Sequence, residues 1–274
     1  MALVFAGLTV ANILGVPGGT ALGSVLGWRA TFVAVAGVGL VAIAAIALWL
    51  PANLKSPRGD LRTEFKVLGR PQALLAFLMT AVTSGSAFVV FTFIAPLLGD
   101  VTGLTVTGIS WALLVFGLGM TAGSFVGGKL ADMNLMGTLV GFFLASIVVL
   151  LFVPVAAPHP VAMFVLLFVW GLVGFALAPA LQMRVMQMAS DAPNAASTLN
   201  QAAFNLGNAG GAWLGSTVLT LGLGYLDLPW LAAGVIAVGL LAAFVSLLLE
   251  RRASLRALRA SVDLLEPAPP AHPA

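Results

Sequence analysis

The chain has 274 residues, of which 61% are hydrophobic and 8% are charged, whereas about a quarter of an average soluble domain is charged. A soluble fold of this size could not bury so much apolar surface in one core, so the composition indicates an integral membrane protein. The formal net charge of +3 comes from scattered basic residues and does not favour a nucleic-acid partner. With no cysteine and two histidines, the sequence predicts no disulfide, cofactor or metal site.

Eight apolar runs follow one another along the chain, each about as long as the roughly 20 residues that a bilayer crossing requires. They predict spans at 2–23, 30–50, 72–98, 106–128, 136–156, 161–183, 197–222 and 229–250. The first run has no basic segment before it, unlike a signal peptide, so we expect Met1 to lie at the mouth of a membrane helix. Uniformly apolar runs are also unlike the alternating strands of a membrane barrel. The predicted fold class is an all-α membrane protein with about eight transmembrane helices.

Charged and proline-rich segments divide the chain into four predicted parts: two helices at 1–50, a linker at 51–71, six helices at 72–250 and a tail at 251–274. The tail begins with a basic stretch, which is expected to be an anchor or to lie on anionic lipid, and its proline-rich end is expected to be disordered. Every lysine and arginine except Arg29 falls on one side of this topology. Because basic loops stay in the cytoplasm, both termini are predicted to be cytoplasmic.

Three predicted spans carry glycine at every fourth position, which places each set on one helix face and lets another backbone approach closely. These glycine ridges are Gly15, Gly19 and Gly23 in the first span, Gly119, Gly123 and Gly127 in the fourth, and Gly207, Gly211 and Gly215 in the seventh. Ordinary tight packing would explain a single ridge. Three ridges in one chain favour the close, sliding contacts that transporters need.

Two stretches resemble a known family. The first span and the residues after it resemble the fifth-helix antiporter signature of the major facilitator superfamily, through Gly7, Asn12, Gly15, Pro17, Gly18, Gly19, Trp28, Arg29 and Phe32. The match is closest to twelve-span drug:proton antiporters of the arabinose-efflux and chloramphenicol-resistance type, although the proline stands one place later here. Gly128 and Asp132, with Leu130 and Ala131 between them, resemble the family's gating-loop motif, without the basic residues that follow it.

The resemblance implies that the eight spans correspond to helices 5–12 of a twelve-helix fold whose first four helices are missing here. It implies proton-coupled efflux of a small drug-like or sugar-like molecule, by alternating access, across a bacterial plasma or inner membrane. In that fold helix five packs on helix eight. We therefore expect the ridges of the first and fourth spans to meet, and the ridge of the seventh span to face nothing in this chain.

Two alternatives compete with a carrier function. The chain could be a truncated remnant that does not transport, or a partial gene model of a full-length efflux carrier, and four further spans encoded upstream of Met1 would favour the gene model. A membrane-embedded enzyme has no support in the sequence, since no nucleophile–base arrangement or cluster of titratable residues falls at one depth. The sequence therefore predicts no catalytic residue.

Polar and aromatic side chains deep in the apolar runs are the candidates for lining a substrate site near the bilayer midplane. The seventh span is richest, with a stripe of Gln201, Asn205 and Asn208 that Asn200 and Phe204 flank. The sixth span adds Trp170 and Gln182, and aromatic surface is expected from Phe91 and Trp111. Packing against another helix is the competing role for each of these residues.

All nine acidic residues fall in loops, at span ends or in the tail, whereas proton-coupled carriers usually hold an ionisable group within the membrane. The resemblance assigns that group to the missing helices. We expect Asp132 either to latch against the helix start of the first span or to be a solvated loop acid. Arg184, at the end of the sixth span, is expected to extend its charge out of the membrane.

Overall fold

The structure, a computed structural model, describes residues 11, 15, 18, 19, 21–49 and 66–263, with side chains except at 66, 67, 253 and 256–263. Residues 21–26 are helical, and seven longer helices follow in these ranges. They are α1 (Trp28–Trp49), α2 (Pro71–Phe91), α3 (Val106–Met133), α4 (Leu135–Ala156), α5 (Pro160–Met188), α6 (Pro193–Thr220) and α7 (Leu228–Asp263). Short 3₁₀ turns at Lys66–Gly69 and Tyr225–Asp227 precede α2 and α7. The predicted all-α membrane fold is confirmed.

Helix starts follow from local sequence. The side chains of Thr105 and Asn134 accept hydrogen bonds from the backbone N–H groups of Gly108 and Gly137, which caps α3 and α4. Helices α2, α5 and α6 begin with proline, whose missing N–H costs nothing in the first turn. Each cap lies within two residues of a predicted break, because the polar residues that end an apolar run also satisfy the helix terminus.

The predicted span at 72–98 is not one continuous helix. Helix α2 ends at Phe91, and a short helix (Ile94–Pro96) and a π-helical turn (Leu97–Val101) follow. Pro96 has no N–H to donate to the carbonyl of Thr92, four residues earlier, and its ring crowds that carbonyl. The predicted span continued through this proline, whereas the structure interrupts the helix at Thr92 and Phe93, one turn before it.

Six helices of the described chain are long and apolar enough to cross a membrane: α1 to α5 and the segment Tyr225–Arg252. Helix α6 has 28 residues, enough to cross, but its glycines and amides make it less apolar than the others. Helix α7 has 36 residues, or about 54 Å of helix, so it continues well past the roughly 20 residues that a span needs. Most of the predicted first span, the linker at 51–65 and the tail from 264 lie outside the described residues.

Helices α2 to α7 form one bundle around a shared apolar core. Helix α2 packs against α5, α6 and α7, helix α4 packs against α5 and α7, and α3 packs mainly against α5. Helices α2, α4 and α6 start at the end of the bundle where α3 and α5 finish. We call it the basic end, because it carries Arg70, Lys129, Arg184, Arg251 and Arg252. No residue of α1 is buried.

Candidate functional site

The glycine ridge of the fourth span lies against α5. A Cβ built on Gly119, Gly123 or Gly127 would overlap the carbonyl oxygen of Phe168, Leu172 or Ala176, respectively. Gly171 of α5 faces α3 with equal closeness, so the two backbones touch without intervening side chains. The expected contact with the first span is therefore wrong for this ridge, since its surface is already occupied. Of the first ridge, Gly19 and Gly23 lie beside Thr31 of α1.

The glycine ridge of the seventh span lies against α2. A Cβ on Gly207, Gly211 or Gly215 would overlap or crowd the carbonyl oxygens of α2 at Ala81, Gly85 and Val89. We expected this ridge to face nothing in the chain, and that expectation is wrong. The helix spacing of four identified the contact faces correctly, but the family topology used to assign their partners pointed across the two halves instead of within one.

A hydrogen-bonded amide network joins α2, α5 and α6 about two turns inside the basic end. The hydroxyl of Thr80 donates to Asn200 Oδ1 at 2.7 Å, and Asn200 Nδ2 donates to Gln182 Oε1 at 2.7 Å. Gln182 Nε2 in turn lies 3.4 Å from the hydroxyl of Ser197. Asn200 is only 8% exposed. Two predicted site residues, Gln182 and Asn200, are thus brought together, and both use amide groups in binding neighbouring helices.

The three amides of the stripe, Gln201, Asn205 and Asn208, form no hydrogen bond to α2 among the described residues. Gln201 and Asn205 are exposed, whereas Phe204 and Asn208 are half-buried. The Oδ1 atom of Asn208 is buried and has no hydrogen-bond partner among the described residues. The amide stripe therefore has a side that is open in the described part of the chain and contains no charged group.

The predicted aromatic residues separate into two groups. Phe91, Phe116 and Trp170 form a continuous series, with ring centroids 5.4 Å apart for the first pair and 5.0 Å for the second. Trp170 is 5% exposed and packs within the bundle, so it supports Phe91 and does not border an open surface. Trp111 is 60% exposed near the start of α3, at the opposite end from the basic end, away from this series.

The hydroxyl groups of α2 divide between two roles. Thr83 and the C-cap residue Thr92 donate to carbonyls of α2 itself. Ser84 and Ser86 donate to the carbonyl oxygens of Phe204 and Ala232 on other helices, at 2.8 and 2.7 Å. With Thr80, these serines tie α2 to both α6 and α7, and the sequence did not distinguish them from the others.

Two ion pairs lie at the basic end. Arg70 binds Asp191 through two hydrogen bonds of 2.7 and 2.6 Å, joining the start of α2 to the α5–α6 loop. The hydrogen bond from Arg70 holds the pKa of the Asp191 carboxyl below its usual value. Both side chains are largely exposed, at 42% and 51%, so solvent screens the pair and its contribution to stability is small.

The second ion pair contains a buried arginine, and it corrects a prediction. Arg184 was expected to extend its charge out of the membrane, but it is only 2% exposed. Its Nη2 atom lies 2.6 Å from Glu250 Oε1 and donates to Ser246 Oγ and Gln72 Oε1, at 2.7 and 3.3 Å. The partners lie on α2 and α7, far away in sequence, and no local pattern around Arg184 identifies them.

A family model described as Major Facilitator Superfamily matches residues 1–212, more than half of the chain. The chain belongs to the major facilitator superfamily. It is 42% identical over 246 residues to the inner membrane transport protein YdhP of Escherichia coli K12, and 39% identical over 251 residues to the chloramphenicol resistance protein of Streptomyces lividans. These alignments cover 90% and 89% of this chain but 63% of each relative, so the chain spans less than two thirds of their length.

A solved structure supports the same fold for this superfamily member. It is the crystal structure of a bacterial homologue of the human lysosomal transporter Spinster, in an inward-facing and unoccupied conformation. The TM-score is 0.56, with 18% sequence identity, and the match covers 89% of this chain and 67% of that one. The resemblance drawn from sequence motifs is thus confirmed at the level of family and fold.

The two superfamily motifs differ in how much of them the structure describes. In the antiporter signature, Gly7, Asn12 and Pro17 lie outside the described residues, whereas Gly15 and Gly18 are helical with no other group near their Cβ positions in the described chain. In the gating-loop motif, Gly128 contacts Pro179 of α5, and Asp132 is exposed next to the end of α3. Asp132 forms no ion pair within the described ranges, and its latch role stays a prediction.

Proposed function

We propose that this chain is part or all of an efflux carrier that moves small, uncharged molecules across a bacterial plasma or inner membrane by alternating access. The observation that carries the proposal is the amide stripe of α6. Gln201 and Asn205 are exposed on a helix whose opposite face is fixed to α2 by glycine contacts. An exposed amide on a membrane helix needs a hydrogen-bonding partner, and a polar substrate provides one.

The neighbouring network gives this surface a fixed position. Asn200 is bound on two sides, by Thr80 and by Gln182, so the backbone of α6 is held while the next residue, Gln201, stays free to bind. Phe204 and Asn208 border the stripe and would contribute apolar contact and an additional acceptor. Phe91, supported by Phe116 and Trp170, is proposed as the aromatic wall, and Trp111 as a more distant candidate.

The absence of charge in this stripe supports an uncharged substrate. The described lysines, arginines and acids of the bundle lie at the helix ends and in the connecting loops, whereas a charged substrate needs a compensating charge in a low-dielectric site. One relative is named a chloramphenicol resistance protein, and amphenicols are uncharged molecules with hydroxyl and amide groups. An amphenicol is therefore the first substrate to test, and sugars are the second.

Orientation is proposed from charge. From residue 66 onward, every lysine and arginine lies at the basic end or beyond it along α7. Because positively charged loops remain on the cytoplasmic side, we place the basic end in the cytoplasm, with both termini on that side. The name of one relative, an inner membrane transport protein, agrees with a bacterial plasma or inner membrane.

Proton coupling enters the proposal through the family resemblance alone. The amide stripe has no ionisable group of its own, so this chain would use protons through a residue outside the stripe. Collapse of the proton gradient during export tests this part separately from substrate binding. If export continues unchanged without a gradient, the antiporter assignment fails while the carrier assignment stands.

The alternatives are a remnant without transport activity and one part of a longer carrier. Both are compatible with a chain that covers 63% of the length of these two relatives. Translation of the DNA upstream of Met1 discriminates between these two. Four further apolar spans in frame would indicate a longer carrier, and stop codons would indicate a remnant. Both outcomes leave the family and fold unchanged.

The site is tested by drug accumulation in cells that produce the chain and have no other exporter for the drug. Asn205→Ala should raise the retained chloramphenicol toward the level of cells without the chain, because the exposed amide is lost. Gln187→Ala is the matched control, since Gln187 is an exposed amide in the last turn of α5, outside the stripe. Equal retention in the two variants, at equal protein levels, would exclude the stripe as the substrate site.

A further inference from the structure

The buried arginine of α5 bridges two helices that otherwise have little contact. Helix α2 and helix α4 each pack against both α5 and α7, so the four helices surround a common interior, whereas α5 and α7 hardly pack on each other. The Arg184 side chain crosses that interior at the basic end and reaches Glu250 and Ser246 of α7. This contact therefore joins two helices that backbone packing does not join directly.

Three polar side chains surround the Nη2 atom of Arg184. Ser246 is fully buried, and its hydroxyl donates to Gln72 Oε1 at 2.6 Å, while Gln72 Nε2 donates to the backbone carbonyl of Ser246 at 3.1 Å. Gln72 thus binds both Arg184 and Ser246 and connects α2 to the pair. A single nitrogen of Arg184 makes all three contacts, and its buried Nε has no partner within the described ranges.

We propose that Arg184, Glu250, Ser246 and Gln72 form a charged latch that holds the basic ends of α2, α5 and α7 together as one unit. A buried guanidinium without a counter-charge is strongly unfavourable. The cluster therefore favours the arrangement in which Glu250 of α7 contacts Arg184 of α5 over any state in which α7 moves away from α5. Glu250 is partly exposed, at 36%, which places the pair at the edge of the interior, at the basic end.

The ion pair of Arg70 and Asp191, at the same end of the bundle, differs from the Arg184 cluster in its exposure to solvent. Arg70 and Asp191 are open to solvent, so either partner can be hydrated when the other is lost, and the pair makes no contact with α7. The other described charges at this end are also solvent-exposed and bind no partner of the latch: Lys129, Asp132, Arg251 and Arg252. The latch therefore depends on its four residues and not on the general charge of the basic end.

The chain contains no cysteine, which allows a direct distance measurement. Gln187→Cys in the last turn of α5 and Ser254→Cys on α7 are both exposed positions and take spin labels without competing thiols. Double electron–electron resonance on the whole 274-residue chain in lipid nanodiscs then reports the α5–α7 separation at the basic end. This measurement does not depend on transport, so its outcome is separate from that of the proposed carrier function.

The latch predicts a single short distance for the labelled chain, and an added population at longer distance when both charges are removed by Arg184→Met with Glu250→Gln. The double variant leaves no lone buried charge, so it should still fold. Ser246→Ala, which keeps the ion pair, should add a smaller long-distance population. Arg70→Gln should leave the distribution unchanged. If the double variant and Ser246→Ala both keep the original distribution, packing alone holds α7 in place and the latch is refuted.

Discussion

Adjacent glycines of α6 allow a sharp test of the close contact between α6 and α2. A Cβ on Gly211 would lie 2.8 Å from the carbonyl carbon of Gly85 and 2.9 Å from its Cα, whereas carbon atoms normally approach to about 3.5 Å. Gly211→Ala therefore requires the two helices to separate by roughly 0.7 Å, and over-packing of this kind costs about 1–3 kcal/mol. At Gly210, one residue earlier, no described atom lies within 4 Å of the added Cβ.

Comparing Gly211→Ala with Gly210→Ala separates the effect of packing from the effect of helix propensity. Gly→Ala favours a helix by about 1 kcal/mol wherever space permits, so Gly210→Ala should stabilise the bundle slightly while Gly211→Ala destabilises it. Because the propensity gain is common to both variants, their free energies of unfolding should differ by the over-packing cost of about 1–3 kcal/mol, or roughly 2–12 °C in Tm for a protein of this size. Thermal unfolding of the two purified variants in the same detergent measures the difference. Equal Tm values for the two variants would refute the tight α2–α6 contact.

Three further predictions concern the amide network, the exposed ion pair and the break in α2. Asn200→Ala should lower the free energy of unfolding by about 1 kcal/mol, measured as a lower Tm, because Gln182 loses a buried donor; an unchanged Tm would mean that the network adds nothing. Since Arg70 lowers the pKa of Asp191, the pair should stabilise the fold at neutral pH and lose that effect only as the pH falls through this lowered value. In ¹³C NMR titrations Arg70→Gln should move the Asp191 carboxyl midpoint to higher pH, and an identical midpoint would contradict the contact. Pro96→Ala should slow amide hydrogen exchange at residues 93–97 by restoring the missing helical donor, whereas unchanged exchange would place the cause of the break elsewhere.

Much of the fold could be predicted because lipid imposes a simple rule. Every backbone polar group must be bonded within its own segment, so long apolar runs had to be helices, and N-cap residues such as Thr105 and Asn134 started them near the predicted limits. Two limits differ: α2 ends at Phe91, before Pro96, and α7 continues to Asp263, past the predicted end at 250. An average hydropathy does not reveal that a proline interrupts a helix, whereas the missing backbone donor predicts the interruption.

Which helices and side chains contact the predicted residues was harder to predict from the sequence. Spacing of four placed Gly211 and Gly123 on contact faces, but spacing on one helix carries no information about which other helix lies opposite. For Arg184, the local sequence gives even less information about the residues that contact it. Its apolar neighbours favour a side chain that extends to the interface, and its partners stand 62 and 112 residues away along the chain. Only the folded arrangement places them around one guanidinium.

The proposed carrier function is tested most directly by efflux of radiolabelled chloramphenicol from proteoliposomes that contain the purified 274-residue chain. With a pH gradient imposed, the account predicts loss of the label faster than from lipid vesicles without protein. It also predicts that Asn205→Ala slows this loss, whereas Gln187→Ala does not. Release at the rate of protein-free vesicles, by a chain whose folded state is verified by its Tm, would contradict transport by these 274 residues alone and would favour a remnant or one part of a longer carrier.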